Sequence, residues 1–236
     1  RFRGRTAVDD LNLTIAQGEF FALLGQNGAG KTTTIRMLTC LLAPSAGDAL
    51  LMGESIARNA EAAKAHSNLS PQETAIAQNL TVRENLMLIA RLYGANKADA
   101  TGQAEAAMRE FGLSARARDR AKTLSGGMQR RLSIAMALIT KPNVLFLDEP
   151  TLGLDVRARR ELWKTISALK GKVTVVLTTH YLEEAEALAD RIGIMHEGRL
   201  QALGTAAELC AKANATNFED AFLALTESEA EKEAAL

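Results

Sequence analysis

The sequence predicts an α/β fold: a mainly parallel sheet with helices on both faces, interrupted by an inserted helical subdomain. Three observations point there. Apolar runs at 20–24, 144–147 and 173–177 lack polar alternation, the pattern of strands buried on both faces of a parallel sheet. Helical stretches at 31–42, 157–169 and 181–189 each follow one of these runs closely, which is the strand-then-helix rhythm of such sheets. Between about Ala75 and Thr140 the rhythm gives way to helical periodicity with no convincing strand.

Bulk properties agree with one sizeable domain carrying an insertion. The 236 residues can bury a substantial core, and 47% hydrophobic with 24% charged residues is ordinary for a globular chain. Lys plus Arg equals Asp plus Glu at 28 each, so no global basic field points to nucleic acid or an anionic membrane as partner. Cys40 and Cys210 are far apart and fit no CxxC or CxxH spacing, which argues against a disulfide framework or a zinc site and fits a reducing compartment. No run approaches the roughly 20 apolar residues that cross a bilayer.

Taken in chain order, the sequence opens at Arg1 in basic, non-hydrophobic residues without a signal-peptide core. It reads as starting partway into a first strand, which suggests a trimmed or fragmentary N-terminus. After the run at 20–24 comes Gly25-Gln26-Asn27-Gly28-Ala29-Gly30-Lys31-Thr32, which fits GxxxxGK[ST] with a strand before it and a helix after it. Glycines let backbone N–H groups turn inward around phosphates, the helix N-terminus adds its dipole, and Lys31 supplies a point charge for the β and γ oxygens. Thr32 is placed to ligate Mg²⁺, and Thr33 follows at the same junction. The fold expected around this loop is a P-loop NTPase (RecA-like) core.

In the insertion, Val82, Leu86, Ile89 and Tyr93 fall on one apolar stripe of a helix, and Thr81 with Glu84 makes a capping box at its start. The run at 144–147 then ends in Asp148-Glu149. A carboxylate at the tip of a parallel strand lies in the crevice where such sheets bind ligands, so Asp148 can hold Mg²⁺ through water. Glu149, pointing differently, is free to polarise an attacking water. In the tail, Phe218, Ala221, Phe222 and Leu225 repeat a helical stripe before a charged end that is expected to fray.

Leu124-Ser125-Gly126-Gly127-Met128-Gln129, 19 positions before Val144 and after the phosphate loop, is the decisive stretch. Ser125 is a good helix cap, and Gly126 and Gly127 let the backbone approach an anion. With LSGG in this order the chain resembles ABC ATPases along almost its whole length. The resemblance implies that Ser125, Gly126 and Gly127 meet the γ-phosphate of ATP bound to the other subunit of a head-to-tail dimer, with Gln129, Arg130 and Arg131 continuing the signature helix. The usual fifth signature residue is Gln, and Met128 stands there instead, beyond the phosphate-facing amides.

Further roles follow from the same resemblance. Gln72, in Ser70-Pro71-Gln72-Glu73, matches the Q-loop glutamine that senses Mg²⁺ and the attacking water where the helical subdomain meets a transmembrane partner. Asp155 matches the D-loop aspartate linking the two sites of the dimer, His180 the switch histidine at the γ-phosphate, and Phe2 the aromatic that stacks on adenine. His66 and His196 match nothing and read as surface or loop residues. An N-terminal antiparallel β portion is implied, with an ATP-binding core from 1–71 plus 142–205, a helical subdomain over 72–141 and a C-terminal helical extension over 206–236.

The expected activity is hydrolysis of ATP with Mg²⁺, coupled to transport through separate transmembrane permease subunits. The chain would dimerise with a second ATPase subunit, identical or not, at the cytoplasmic face of a membrane, with no nucleic acid involved. Stretches at 78–86, 197–200 and 218–223 resemble exporter cassettes for drugs, antibiotics or polysaccharides. The alternative is a non-transport ABC ATPase acting on DNA or ribosomes, which would carry a long coiled-coil insertion or two cassettes. Lys31 and Ser125 lie under a hundred residues apart, too close for the first. A P-loop GTPase or small-molecule kinase that binds a substrate directly is weaker still, because no [NT]KxD guanine motif is read in the chain and LSGG would have no role in it.

Overall fold

The computed structural model describes residues 6–227. In chain order its elements are β1 (Phe20–Leu24), α1 (Lys31–Leu38), β2 (Leu50–Leu51), β3 (Glu54–Ser55), α2 (Ala60–Ala65), β4 (Ser67–Ser70), α3 (Val82–Leu92), α4 (Lys97–Glu110), α5 (Gly126–Leu138), β5 (Val144–Asp148), α6 (Val156–Ser167), β6 (Thr174–Thr179), α7 (Leu182–Leu188), β7 (Arg191–His196), β8 (Arg199–Gly204), α8 (Ala206–Ala213) and α9 (Phe218–Thr226). The main sheet runs β4-β5-β6-β1-β7-β8 and is parallel except for the β7–β8 hairpin at its edge.

The missing alternation in the apolar runs reflects burial on both faces. Phe20, Ala22 and Leu24 enter one core cluster while Phe21 and Leu23 enter another. On β5, Leu145 and Leu147 join the first and Val144 and Phe146 the second. Successive side chains of a strand point to opposite faces, so two cores demand apolar residues at every position.

Helices α3, α4 and α5 make up the stretch read as a change of rhythm, and they pack on the first cluster. Thr81 caps α3 through a capping box with Glu84, as its spacing predicts. The buried face of α3 is Val82, Asn85, Leu86 and Ala90, with Ile89 partly buried against it. Tyr93 corrects the predicted stripe: it caps the C-terminus and is 67% exposed, since no described element covers that last turn. Asn85, fully buried, donates to the carbonyls of Ala77 and Thr81 and accepts from Ala77 N at 2.8 Å, tying the preceding loop to the helix.

Two other boundaries differ from the sequence reading. The helix expected over 31–42 stops at Leu38, because Cys40 takes a left-handed φ of 54° that cannot continue it. The antiparallel portion is the separate β2–β3 hairpin, and residues 6–19 contain no regular strand. Phe2 and the charged end at 228–236 lie outside the described residues. No described helix is long and apolar enough to cross a membrane.

Because Leu86 is completely buried between α3 and its neighbours, Leu86→Ala is expected to lower stability by about 2–5 kcal/mol. Tyr93→Ala, at an exposed position, should change it by no more than about 0.5 kcal/mol. Denaturant unfolding of both variants checks this, and equal effects would contradict the face assigned to α3.

Candidate active site

The loop between β1 and α1 is shaped by glycines pressed against other segments. A Cβ on Gly25 would lie 2.2 Å from the carbonyl oxygen of Met195, and one on Gly30, where φ is 104°, would lie 2.5 Å from that of Ala7. Neither position can take a side chain without backbone movement. The loop is also bonded from behind: Gly198 N donates to Ala29 O at 3.0 Å, and Asp9 N donates to Gly198 O at 2.8 Å. The N-terminus of α1 therefore faces outward with free amide donors, a ready site for an anion.

Charged groups converge on this loop from the carboxyl ends of three adjacent parallel strands. Lys31, 5% exposed, donates through Nζ to the carbonyls of Gly25 at 2.7 Å and Gln26 at 3.2 Å, and lies 3.2 Å from Glu149 Oε1. The other oxygen of Glu149 is 2.8 Å from Nδ1 of His180. Thr32 Oγ1 is 3.3 Å from Asp148 Oδ1, which also accepts from the Thr178 hydroxyl. Register explains these meetings, since Asp148 pairs with Thr178 and Leu24 with Thr179 across β5, β6 and β1. Glu149 follows β5 with a φ of 47°, and its N–H donates to both the carbonyl and the hydroxyl of Thr178, each at 3.1 Å.

A cavity of about 880 Å³ opens over these groups, lined by residues 26–33 together with Gln72, Glu149, Leu152, His180, His196 and Gly198. Gln26, Asn27, Gly28, Ala29, Gly30, Lys31, Thr32, Thr33, Gln72, Glu149 and His180 thus share one space, with Asp148 buried beside it. His196, read as a surface or loop residue, ends β7 and lines the same cavity. His66 sits elsewhere, 2.9 Å from Asn143 Oδ1.

Ser125, Gly126, Gly127 and Asp155 do not line it. Ser125 caps α5 and accepts from Met128 N, while Asp155 caps α6 and accepts from Ala158 N at 2.9 Å. The two caps are neighbours, since a Cβ on Gly127 would come within 3.1 Å of the Ala158 Cβ. Within one chain, the signature and the phosphate loop are separate surfaces.

Oxygen donors of Thr32 and Asp148 suit a hard cation such as Mg²⁺, which takes few protein ligands and fills its octahedron with water and substrate phosphate. Among the described residues no group of three or more His, Cys, Asp or Glu could hold a metal unaided. The donor set therefore fits a cation that arrives with a phosphate ligand.

Sequence reasoning missed three groups here. Thr178 holds both Asp148 and the Glu149 N–H, and its only signal was polarity at the end of an apolar run. Arg130, 4% exposed, reaches from α5 to the loops bearing Gln72 and Glu149. A charge on the buried face of an otherwise apolar helix is the signal that could have found it. Glu184, fully buried on α7, accepts from Trp163 Nε1 at 3.0 Å, and burial pushes its carboxyl above the usual carboxylate range.

The reading that the guanine motif is absent is corrected by Asn96-Lys97-Ala98-Asp99, which matches the [NT]KxD spelling. In the fold these residues start α4: Asn96 accepts from Asp99 N at 2.9 Å and donates to its carboxylate at 2.7 Å. They line no part of the phosphate cavity, so the match is a helix cap.

Comparison with known proteins agrees with this geometry. Residues 8–152 match the ABC transporter family. The chain is 45% identical over 213 residues to a daunorubicin resistance ATP-binding protein of Streptomyces coeruleorubidus, covering 90% of this chain and 67% of that protein. It is 44% identical over 209 residues to the Nod factor export ATP-binding protein I of Paraburkholderia xenovorans, covering 88% and 68%. A dimeric ATP-binding cassette in a post-hydrolysis state, bound to ADP and Pi, superposes with a TM-score of 0.75 at 25% identity over 84% of this chain and 90% of that one. The chain belongs to the ABC transporter family and is an ATP-binding, ATP-hydrolysing subunit of it.

Proposed function

We propose that this subunit powers export through separate membrane subunits, by closing on MgATP against a second ATPase subunit and reopening after hydrolysis. The observation that carries the reading is the convergence of Lys31, Thr32, Asp148, Glu149 and His180 on the outward-facing start of α1. In-line attack of water on a γ-phosphate needs charge neutralisation and alignment more than covalent chemistry. The amides at 26–33 and the Lys31 ammonium take the phosphate oxygens, with Lys31 exchanging Glu149 and the loop carbonyls for phosphate. Thr32 and Asp148 would hold Mg²⁺, which when bound would neutralise charge on the phosphates.

Once Lys31 turns to phosphate, Glu149 is free to accept a proton from the attacking water, and His180 holds its other oxygen. Gln72 stands at the cavity mouth where it can meet both water and cation. Ser125, Gly126 and Gly127 do not line the cavity over their own phosphate loop, which leaves them to complete a partner's site. Phe2 is assigned to the adenine on resemblance alone. The core over 1–71 and 142–205 hydrolyses, the 72–141 subdomain couples, and 206–236 extends the core.

Docking to the membrane subunits is assigned to α3, which exposes Leu88, Leu92 and Tyr93 beyond the loop that bears Gln72. That loop's attachment to α3 through Asn85 would carry motion between site and membrane. The chain spans about two thirds of the drug-resistance and Nod factor export proteins it matches. The daunorubicin-resistance and Nod-factor-export relatives support an exported cargo. The exporter-like stretches at 78–86, 197–200 and 218–223 are the ground for reading it as a drug, antibiotic or polysaccharide handled from the cytoplasmic face.

Glu149→Gln keeps the side chain's shape and removes its basicity, so kcat for MgATP should fall by about 10²–10⁴-fold with nucleotide still bound. Phosphate release and binding of a fluorescent ATP analogue measure the two effects, and turnover near the native rate would assign the base elsewhere.

Sharing of the site between chains is decided by mixing. Lys31→Ala spoils its own phosphate loop, and Ser125→Arg places bulk where a neighbour's γ-phosphate must sit, so each pure variant should be inactive. In the mixed dimer one site joins an intact Lys31 to an intact Ser125, and activity should return at high protein concentration. No recovery, under conditions where the native chain alone is active, would place the signature's action within its own chain.

A further inference from the structure

We infer that Arg130 is a positioning residue for hydrolysis, which fixes the Glu149 and Gln72 loops to the signature helix through their backbone carbonyls. It stands on α5 just inside the turn capped by Ser125, and it is buried. Its Nη1 donates to Pro71 O at 2.5 Å, and its Nη2 donates to Gln72 O at 2.6 Å and Glu149 O at 3.3 Å. One planar fork thus holds two loops that leave the neighbouring strands β4 and β5. One turn further along α5, Ser133 Oγ lies 3.0 Å from Ser70 Oγ, so the helix grips the segment 70–72 at three consecutive residues.

The bond to Glu149 bears on chemistry because of the backbone there. Glu149 has a left-handed φ of 47°, a conformation that a residue with a side chain keeps only when its surroundings impose it. Thr178 holds its N–H, and Arg130 holds its carbonyl. With both sides of the residue clamped, the carboxylate is directed at Lys31 and His180.

Burial lowers the Arg130 pKa, with Asp148 and Glu184 acting in the opposite sense, yet a guanidinium remains charged at any physiological pH. Arg130 does not line the cavity and its hydrogen bonds go to backbone carbonyls, so it acts through Glu149 and Gln72 rather than on nucleotide. Any shift of the signature helix is thereby passed to the water-activating carboxylate and to the Q-loop together. This inference rests on Glu149 as the group that activates water.

The test compares Arg130→Lys and Arg130→Gly with the native chain and with Glu149→Gln, all normalised to folded protein by thermal unfolding. An ammonium keeps the charge but cannot span three carbonyls in the plane of a fork. For Arg130→Lys, kcat should fall roughly 10–100-fold through misplacement of the carboxylate. Its KM for ATP and the affinity for a fluorescent ATP analogue should stay within about twofold of native, which separates a lost transition-state contact from lost binding. Guanidinium ion at sub-denaturing concentration should restore part of kcat to Arg130→Gly and none to Glu149→Gln.

Native kcat in folded Arg130→Lys would overturn the inference. So would a loss that appears in KM and nucleotide affinity instead of kcat, or failure of guanidinium to rescue Arg130→Gly while Arg130→Lys hydrolyses normally. Should Glu149→Gln itself keep turning over, the reading of Glu149 fails, and that result is distinct from an inactive Glu149→Gln beside a fully active Arg130→Lys.

Discussion

Two opposite charges held out of water at the carboxyl edge of a parallel sheet govern much of this molecule. Lys31 and Glu149 are 5% and 6% exposed at their side chains and 3.2 Å apart. Burying an ion pair is costly unless its remaining donors and acceptors are satisfied. Here Lys31 also donates to two loop carbonyls and Glu149 meets His180. That requirement explains why β1, β5 and β6 must end level with one another: a slip of one residue in register would turn the groups to the opposite face of the sheet.

The neighbours of the pair are arranged by the same edge. Thr178 lies opposite Asp148 in the ladder and supports both carboxylate-bearing residues, one through its hydroxyl and one through its carbonyl. Behind the phosphate loop the packing admits no side chain at Gly25 or Gly30, so the loop is shaped by contact as much as by its own conformational freedom. The backbone of the loop is thus ordered in advance, and pre-paid order of this kind favours affinity. The helical layer enters through α5, whose first turn offers the signature outward while its inner face reaches the Q-loop and Glu149.

Residues whose role is set by their immediate neighbours were legible in the sequence. The doubly buried strands announced themselves by unbroken apolar runs, the phosphate loop by glycine spacing between a strand and a helix, and the start of α3 by Thr81 and Glu84. Groups whose role depends on distant partners were not. Edge strand β4 reads Ser-Asn-Leu-Ser, too short and polar to signal a strand, and it exists because β5 pairs with it. Tyr93 continued a helical period past the point where anything packs on it, since period alone does not reveal where a covering element ends. Arg130 looked like one more charge on a helix, because its three carbonyl partners are 19 to 59 residues away along the chain. The NKAD spelling at 96–99 was overlooked in the sequence, and the fold gives it the local role of a helix cap.

Strand β1 lies between β6 and β7, so both of its ladder partners come from the second half of the chain. The loop that follows it is backed by Met195 and Gly198. In time, the order is inverted: the phosphate-binding stretch is made well before the strands that seat it and the turn that braces it. A nascent chain therefore carries the loop's sequence long before it can carry the loop's shape, and until β6 and β7 arrive, β1 is an apolar strand with both edges unpaired. Long-range pairing of this kind is slow and leaves such segments open to association with other chains. Competence to bind nucleotide is in that sense a late-acquired property of the polypeptide, acquired only when its central strand is enclosed.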